Sequence, residues 1–214
     1  PGDTMAPDDD CPSCGHAHAP GSTCHQCGHY RRCSESVERA NGNGACGTTM
    51  DATGKEPIVE VIDKFLCIGA FEHTSNIDVL IKCGIRTVMN AVPACTPCCS
   101  SRDITVFTAP SDARDASALD LSATVRILEE LHVKAERADD AFPSRVLVYC
   151  MTGHSRAPSI AVAYLMYSER RRLRDAVVAL ARRYPRGHTA VKIKPCDYQH
   201  LEAFEKTLFG ENTV

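Results

Sequence analysis

Apolar and polar positions fall into two unlike patterns along this chain. Through residue 50 there is no Ile, Leu or Phe, and Val37 is the only β-branched aliphatic residue. Gly, Pro, Ser and Asp crowd the same stretch. Such a segment cannot bury enough apolar surface to offset the entropy of ordering it, so residues 1–40 are expected to be disordered or folded around a metal ion. The run Asn-Gly-Asn-Gly-Ala-Cys-Gly-Thr-Thr within residues 41–56 reads as a linker.

From residue 57 to about 210 the pattern is that of a folded domain. Ile58–Ile62 and Phe65–Ile68 alternate like short paired strands, and Asn76–Lys82 has helical spacing. For that helix Thr74 or Ser75 is the expected cap and Gly84 the stop. Ile85–Val92 and Ile104–Ala109 are β-branched runs separated by turn residues. Leu119, Val125, Leu128 and Leu131 lie near helical spacing, ended by Ala141-Phe-Pro-Ser. Val146–Tyr149 is continuously apolar, as expected of a strand covered on both faces. Helical patterns then occupy Arg156–Ser168, Leu173–Arg183 and Asp197–Leu208. Strands alternating with helices and closing in a helical block predict an α/β fold: a central, mostly parallel sheet flanked by helices.

Composition narrows the function classes. The 214 residues are 43% hydrophobic and 24% charged, with a net charge of −3. This is a soluble balance that argues against a dedicated nucleic-acid binder. No apolar run reaches the roughly 18–20 residues that span a bilayer, so no membrane partner is expected. The chain opens at Pro1 and shows no signal peptide, and so reads as a fragment. Thirteen cysteines, an odd number with no export signal, favour metal ligands, a nucleophile or buried thiols over a disulfide framework. The compartment expected is reducing, cytoplasm or nucleus.

The strongest chemical signal is Val146-Leu-Val-Tyr-Cys150-Met-Thr-Gly153-His-Ser-Arg156. A cysteine is followed at six residues by an arginine, between a buried strand and a helix N-terminus. A buried structural cysteine would fit the bare spacing. The strand–loop–helix context instead describes an anion cradle, Met151, Thr152, Gly153, His154 and Ser155, whose backbone N–H groups point inward and are reinforced by the helix dipole. Gly153 permits the backbone angles a tight cradle needs. The thiolate is the nucleophile, and the N–H ring and Arg156 both favour it. The planar guanidinium of Arg156 suits two phosphoryl oxygens and their transition-state charge, which a lysine would not grip in the same way. A leaving oxygen needs a proton and the following water a base, and one carboxyl can serve both in turn. Ala109-Pro-Ser-Asp112-Ala-Arg-Asp115 offers Asp112 and Asp115.

These motifs, with Phe65-Leu-Cys-Ile-Gly-Ala, Gly84-Ile-Arg-Thr-Val-Met-Asn-Ala-Val and Tyr198-Gln-His-Leu-Glu-Ala-Phe-Glu, resemble the cysteine-dependent dual-specificity protein phosphatases across residues 58–209. Cys11-Pro-Ser-Cys-Gly-His-Ala-His and Cys24-His-Gln-Cys-Gly-His resemble the Cys-rich leader of a plant subgroup of that family, the phosphatases of the indole-butyric-acid response. The resemblance implies Cys150 as nucleophile, Arg156 as phosphate clamp, no cofactor for catalysis, and a phosphoprotein substrate, a MAP kinase among the candidates. It places the general acid six residues before an apolar helix start, which Asp115 satisfies with Leu121; Asp112 fits better counted from the preceding strand. Two positions depart from the family: Tyr149 stands where it has His, and Ala157 where it has Ser or Thr, a hydroxyl that helps the sulfur leave. A phosphoprotein-binding adaptor with slow turnover, or a phosphatase of a non-protein substrate, are the rival readings.

In the leader, Cys11-x2-Cys14 and Cys24-x2-Cys27 are two knuckles nine residues apart, a spacing suited to one tetrahedral structural Zn²⁺. His16, His18, His25, His29 and Cys33 are spare ligands. Cys95, Cys98 and Cys99 read as structural or incidental loop residues, with metal binding or a redox partnership with Cys150 as the alternatives, and Cys67 and Cys83 as small buried apolar ones. The run Glu169-Arg-Arg-Arg-Leu-Arg with Arg182 and Arg183 makes one side basic. That is either a solvated helix junction or a docking surface for an acidic or doubly phosphorylated partner.

Overall fold

A computed structural model describes residues 58–92, 103–113, 115, 117–137, 144–184 and 191–210. Five strands form one sheet: β1 (Val59–Ile62), β2 (Leu66–Ala70), β3 (Ile85–Asn90), β4 (Thr105–Thr108) and β5 (Arg145–Cys150). Their order is β1-β2-β5-β3-β4. Only β1 pairs antiparallel, with β2; β2–β5, β5–β3 and β3–β4 are parallel. The expected mostly parallel sheet is therefore present, with the Val146–Tyr149 run in its middle.

The placement of β5 explains its composition. Val146, Val148 and Cys150 join the larger core, while Leu147 and Tyr149 alternate into a second core on the opposite face. A strand covered on both sides has no polar face to keep. The second core gathers Cys67, Phe71, Leu80, Ile85 and Val88 under α1 (Ile77–Lys82) and a 3-10 turn, Phe71–Ser75.

On the other face lie α2 (Leu121–Arg137), α3 (Arg156–Ser168), α4 (Leu173–Ala181) and α5 (Pro195–Phe209). Helix α3 packs on β2 and β5 and is enclosed by α2, α4 and α5, so every residue from Ala157 to Met166 is buried. That burial is why Ile160, Val162, Leu165 and Met166 leave no polar stripe; a helix apolar all round belongs in a core.

Several ends differ from the pattern-based expectation. The α1 cap is Asn76, whose Oδ1 accepts from the Val79 N–H at 3.2 Å. It is neither Thr74 nor Ser75, because the preceding 3-10 turn uses the Thr74 hydroxyl to donate to the Phe71 carbonyl at 2.7 Å. Gly84 does follow the helix, with φ 73°. Leu119 lies before α2, bridged to Ser111, and α5 begins at Pro195, a residue suited to a first helical turn because its missing N–H is not needed there. The side chain of Arg172, which precedes α4, does not cap it. The buried Glu205 of α5 instead accepts from the Leu173 N–H at 2.8 Å.

Candidate functional site

Cys150 ends β5, opposite Ala70 in the parallel register, and is 3% exposed. Residues 151–155 then turn without regular structure before Arg156 opens α3. Open α/β sheets place ligands at the carboxyl ends of their parallel strands, and this loop sits there beside the N-terminus of a 13-residue helix. Gly153 has φ 74°. A Cβ on it would come within 3.3 Å of the backbone at Gly69 and Ala70, so the loop turns tightly against the end of β2.

The outer side of the loop is held by the approach to α5. The His154 carbonyl accepts from the Lys192 N–H at 3.2 Å. The Ser155 hydroxyl donates to Asp197 Oδ2 at 2.5 Å and accepts from the Lys194 N–H at 2.8 Å. The Ser155 carbonyl accepts from both the N–H and the hydroxyl of Ser159, each at 2.8 Å. These bonds fix the loop from its outer side.

Arg156 reaches across two other elements. Its Nη1 donates to the Ala91 carbonyl at 3.3 Å, at the end of β3, and its Nη2 to the Ser117 carbonyl at 2.5 Å. Ser117 belongs to the loop of the candidate acids. Asp115 accepts from the Ser117 hydroxyl at 2.6 Å and from its N–H at 2.8 Å. Those two bonds, the hydroxyl's first, hold the Asp115 carboxyl below its ordinary value. Asp112 is tied back through its N–H to the Ala118 carbonyl at 2.9 Å. Both carboxylates are exposed. The structure thus joins Cys150, the loop 151–155 and Arg156, and connects the loop bearing Asp115 to Arg156 directly.

The unexpected Tyr149 is fully buried, its ring 5.9 Å from that of Phe71, on the face away from the large helices. Ala157 is fully buried as well. Sequence reasoning did not single out Ala91, Ser117, Lys194 or Asp197 as supports of this site. Each reaches it only through the fold, and their short polar or main-chain groups carry no local signature. The leader cysteines Cys11, Cys14, Cys24 and Cys27, and the Cys95–Cys99 cluster, lie outside the described residues. Among the described residues no group of three or more His, Cys, Asp or Glu side chains is placed to hold a metal ion. Cys67 is buried, whereas Cys83 is only half-buried. No helix among them is long and apolar enough to cross a membrane.

Comparison with known proteins agrees with this geometry. The family model of the dual specificity phosphatase catalytic domain matches residues 66–193. The Arabidopsis thaliana protein-tyrosine-phosphatase IBR5 is 29% identical over 155 residues, 72% of this chain; the chain spans about half, 54%, of that relative's length. Among solved structures, a variant of human DUSP28 superposes with a TM-score of 0.56 at 19% identity, covering 72% of this chain and 97% of that one. A mouse putative dual specificity phosphatase complexed with zinc tungstate gives 0.55 at 24% identity, covering 76% and 94%. With the loop between β5 and α3 inside the matched span, the chain belongs to the dual specificity phosphatase family.

Proposed function

We propose that this protein hydrolyses phosphotyrosine, and also phosphoserine and phosphothreonine, in protein substrates through a phospho-cysteine intermediate. The observation that carries the reading is the placement of Cys150 at the end of the central strand, one tight loop away from Arg156 at the start of a buried helix. The Cys150 thiolate attacks phosphorus, and the bond to the leaving oxygen breaks as a carboxyl gives that oxygen a proton. Water then attacks the phosphorus of the phosphocysteine while the same carboxylate takes its proton, and the P–S bond breaks to release phosphate and restore the thiolate. N–H groups of residues 151–155 and the Arg156 guanidinium hold the three phosphoryl oxygens through both steps. Asp115 is the acid favoured by its link through Ser117 to Arg156; Asp112 is the alternative. No cofactor enters this chemistry. A MAP kinase is the proposed substrate, in cytoplasm or nucleus, and zinc held by Cys11, Cys14, Cys24 and Cys27 has a structural role in the leader.

The adaptor reading draws on Ala157, whose side chain offers no hydroxyl to the departing sulfur. Hydrolysis of a small aryl phosphate and of a phosphotyrosine peptide separates the two. Activity should persist in chelator and vanish in Cys150→Ser, from a preparation that carries about one zinc per chain. A wild type that binds the phosphopeptide without turnover would make it an adaptor, and activity retained in Cys150→Ser would refute the cysteine mechanism.

A further inference from the structure

Helix α3 begins at the phosphate loop, and at its other end the chain turns through Glu169, Arg170, Arg171 and Arg172 into α4. Beside this turn is a hollow of about 370 Å³ lined by Arg170, Arg171, Arg172 and Arg182, with Asp175 and Val178 among its other walls. Four guanidinium groups face one carboxylate there. Arg170 has φ 54°, a left-handed conformation that residues with a side chain seldom adopt and that tends to be kept where it does something. The guanidinium carbons of Arg170 and Arg172 lie 4.9 and 4.6 Å from the centroid of the same Phe209 ring. The two cations are therefore within roughly one Debye length, about 10 Å at 0.1 M salt, and repel each other. Arg171 pairs with Glu169. Among the described residues, neither Arg170 nor Arg182 has a carboxylate within ion-pair distance. Val178, 42% exposed, adds apolar surface to this cationic wall.

A solvated helix junction accounts for a basic run. It does not account for a hollow, a left-handed arginine and two guanidiniums gathered on one ring. We propose that this hollow docks an acidic segment of the phosphoprotein substrate, with carboxylates on Arg170 and Arg182 and an aliphatic side chain against Val178. The proposal rests on the protein-phosphatase reading above and names how that substrate is held. The 13 residues of α3 set the hollow about 20 Å from the phosphate loop at roughly 1.5 Å per residue. An extended segment of about six residues bridges that distance. Nucleic acid fits the site less well, because the Phe209 ring is already covered by arginine and the hollow offers no free aromatic surface for a base.

The test uses the full chain and a fluorescent, phosphate-free peptide of alternating Glu and Leu, followed by anisotropy. Arg170→Glu with Arg182→Glu should weaken its binding about tenfold or more, while kcat and KM for a small aryl phosphate stay unchanged. For a phosphotyrosine peptide with an acidic stretch six residues away, KM should rise and kcat should not. Arg170→Gly, which relaxes the backbone while removing one cation, should also weaken binding. Because the probe carries no phosphate, it reports on the hollow even in a chain that hydrolyses nothing; aryl phosphate hydrolysis reports on the chemistry alone. Absence of binding in the wild type, or equal binding in the variants, overturns the proposal. So does binding of single-stranded RNA or of anionic vesicles that the acidic peptide fails to displace.

Discussion

Replacing Gly153 with Ala tests how the loop 151–155 is held, and Gly210→Ala provides the reference. Both glycines are left-handed, with φ 74° and 79°. Placing an L-residue there costs roughly 1–2 kcal/mol, against which about 0.4–1 kcal/mol is regained because alanine restricts the unfolded chain. That sum is common to the two sites. The surroundings are not: a Cβ at 210 meets nothing within 4 Å, whereas at 153 it meets Ala70 N and Gly69 C at 3.3 Å. Those are backbone atoms of β2, paired to Tyr149 and Cys150, and they cannot give way by a few tenths of an ångström without disturbing the strand that carries Cys150. Overpacking of this kind adds about 1–3 kcal/mol. At about 2–4 °C per kcal/mol for a domain of this size, Gly153→Ala should melt about 2–12 °C below Gly210→Ala. It should also lose aryl phosphate turnover, which Gly210→Ala keeps. Calorimetry and initial rates on the two proteins decide it. Equal melting temperatures with undiminished turnover in Gly153→Ala would refute the close packing of the loop on β2.

Ser117→Ala removes the bond that contributes most to holding the Asp115 carboxyl low, so its pKa should rise toward the ordinary value. With Asp115 as general acid, it then keeps its proton to higher pH and the alkaline limb of kcat moves upward. A limb that ignores Ser117→Ala and disappears in Asp112→Asn would assign the acid to Asp112. Because a depressed folded-state pKa stabilises above the unfolded value and that contribution is lost as pH falls through the folded one, any stability lost in Ser117→Ala should be seen at neutral pH and fade in acid. Glu205→Ala leaves the Leu173 N–H of α4 without its acceptor and should cost about 1–3 kcal/mol by urea unfolding. Glu205→Gln keeps the packing and an acceptor and should cost less; equal losses would mean that the negative charge, which both variants remove, is what Glu205 provides.

Local chemistry made much of this fold legible before any coordinates. The apolar run before Cys150, Gly153 and the switch to helical spacing at Arg156 are short-range signals, and β5, the loop and α3 lie where those signals put them. Gly84 ended α1 for the same reason. The α1 cap differs from the expected Thr74 or Ser75 because the 3-10 turn occupies Thr74 and leaves Asn76 to cap the helix.

Short-range signals therefore set the strand–loop–helix unit that places Cys150 and Arg156, since backbone angles, alternation and residue type act within a few positions. Tertiary structure alone decided the neighbours of that unit. Arg156 meets Ala91 and Ser117 across 65 and 39 residues, and Ser155 meets Asp197 across 42. Those partners are a carbonyl, another carbonyl and one carboxylate among many, groups with nothing local to distinguish them. Only closing the sheet in the order β1-β2-β5-β3-β4, with β5 at its centre, brings the end of β3, the Asp115 loop and the start of α5 around one loop.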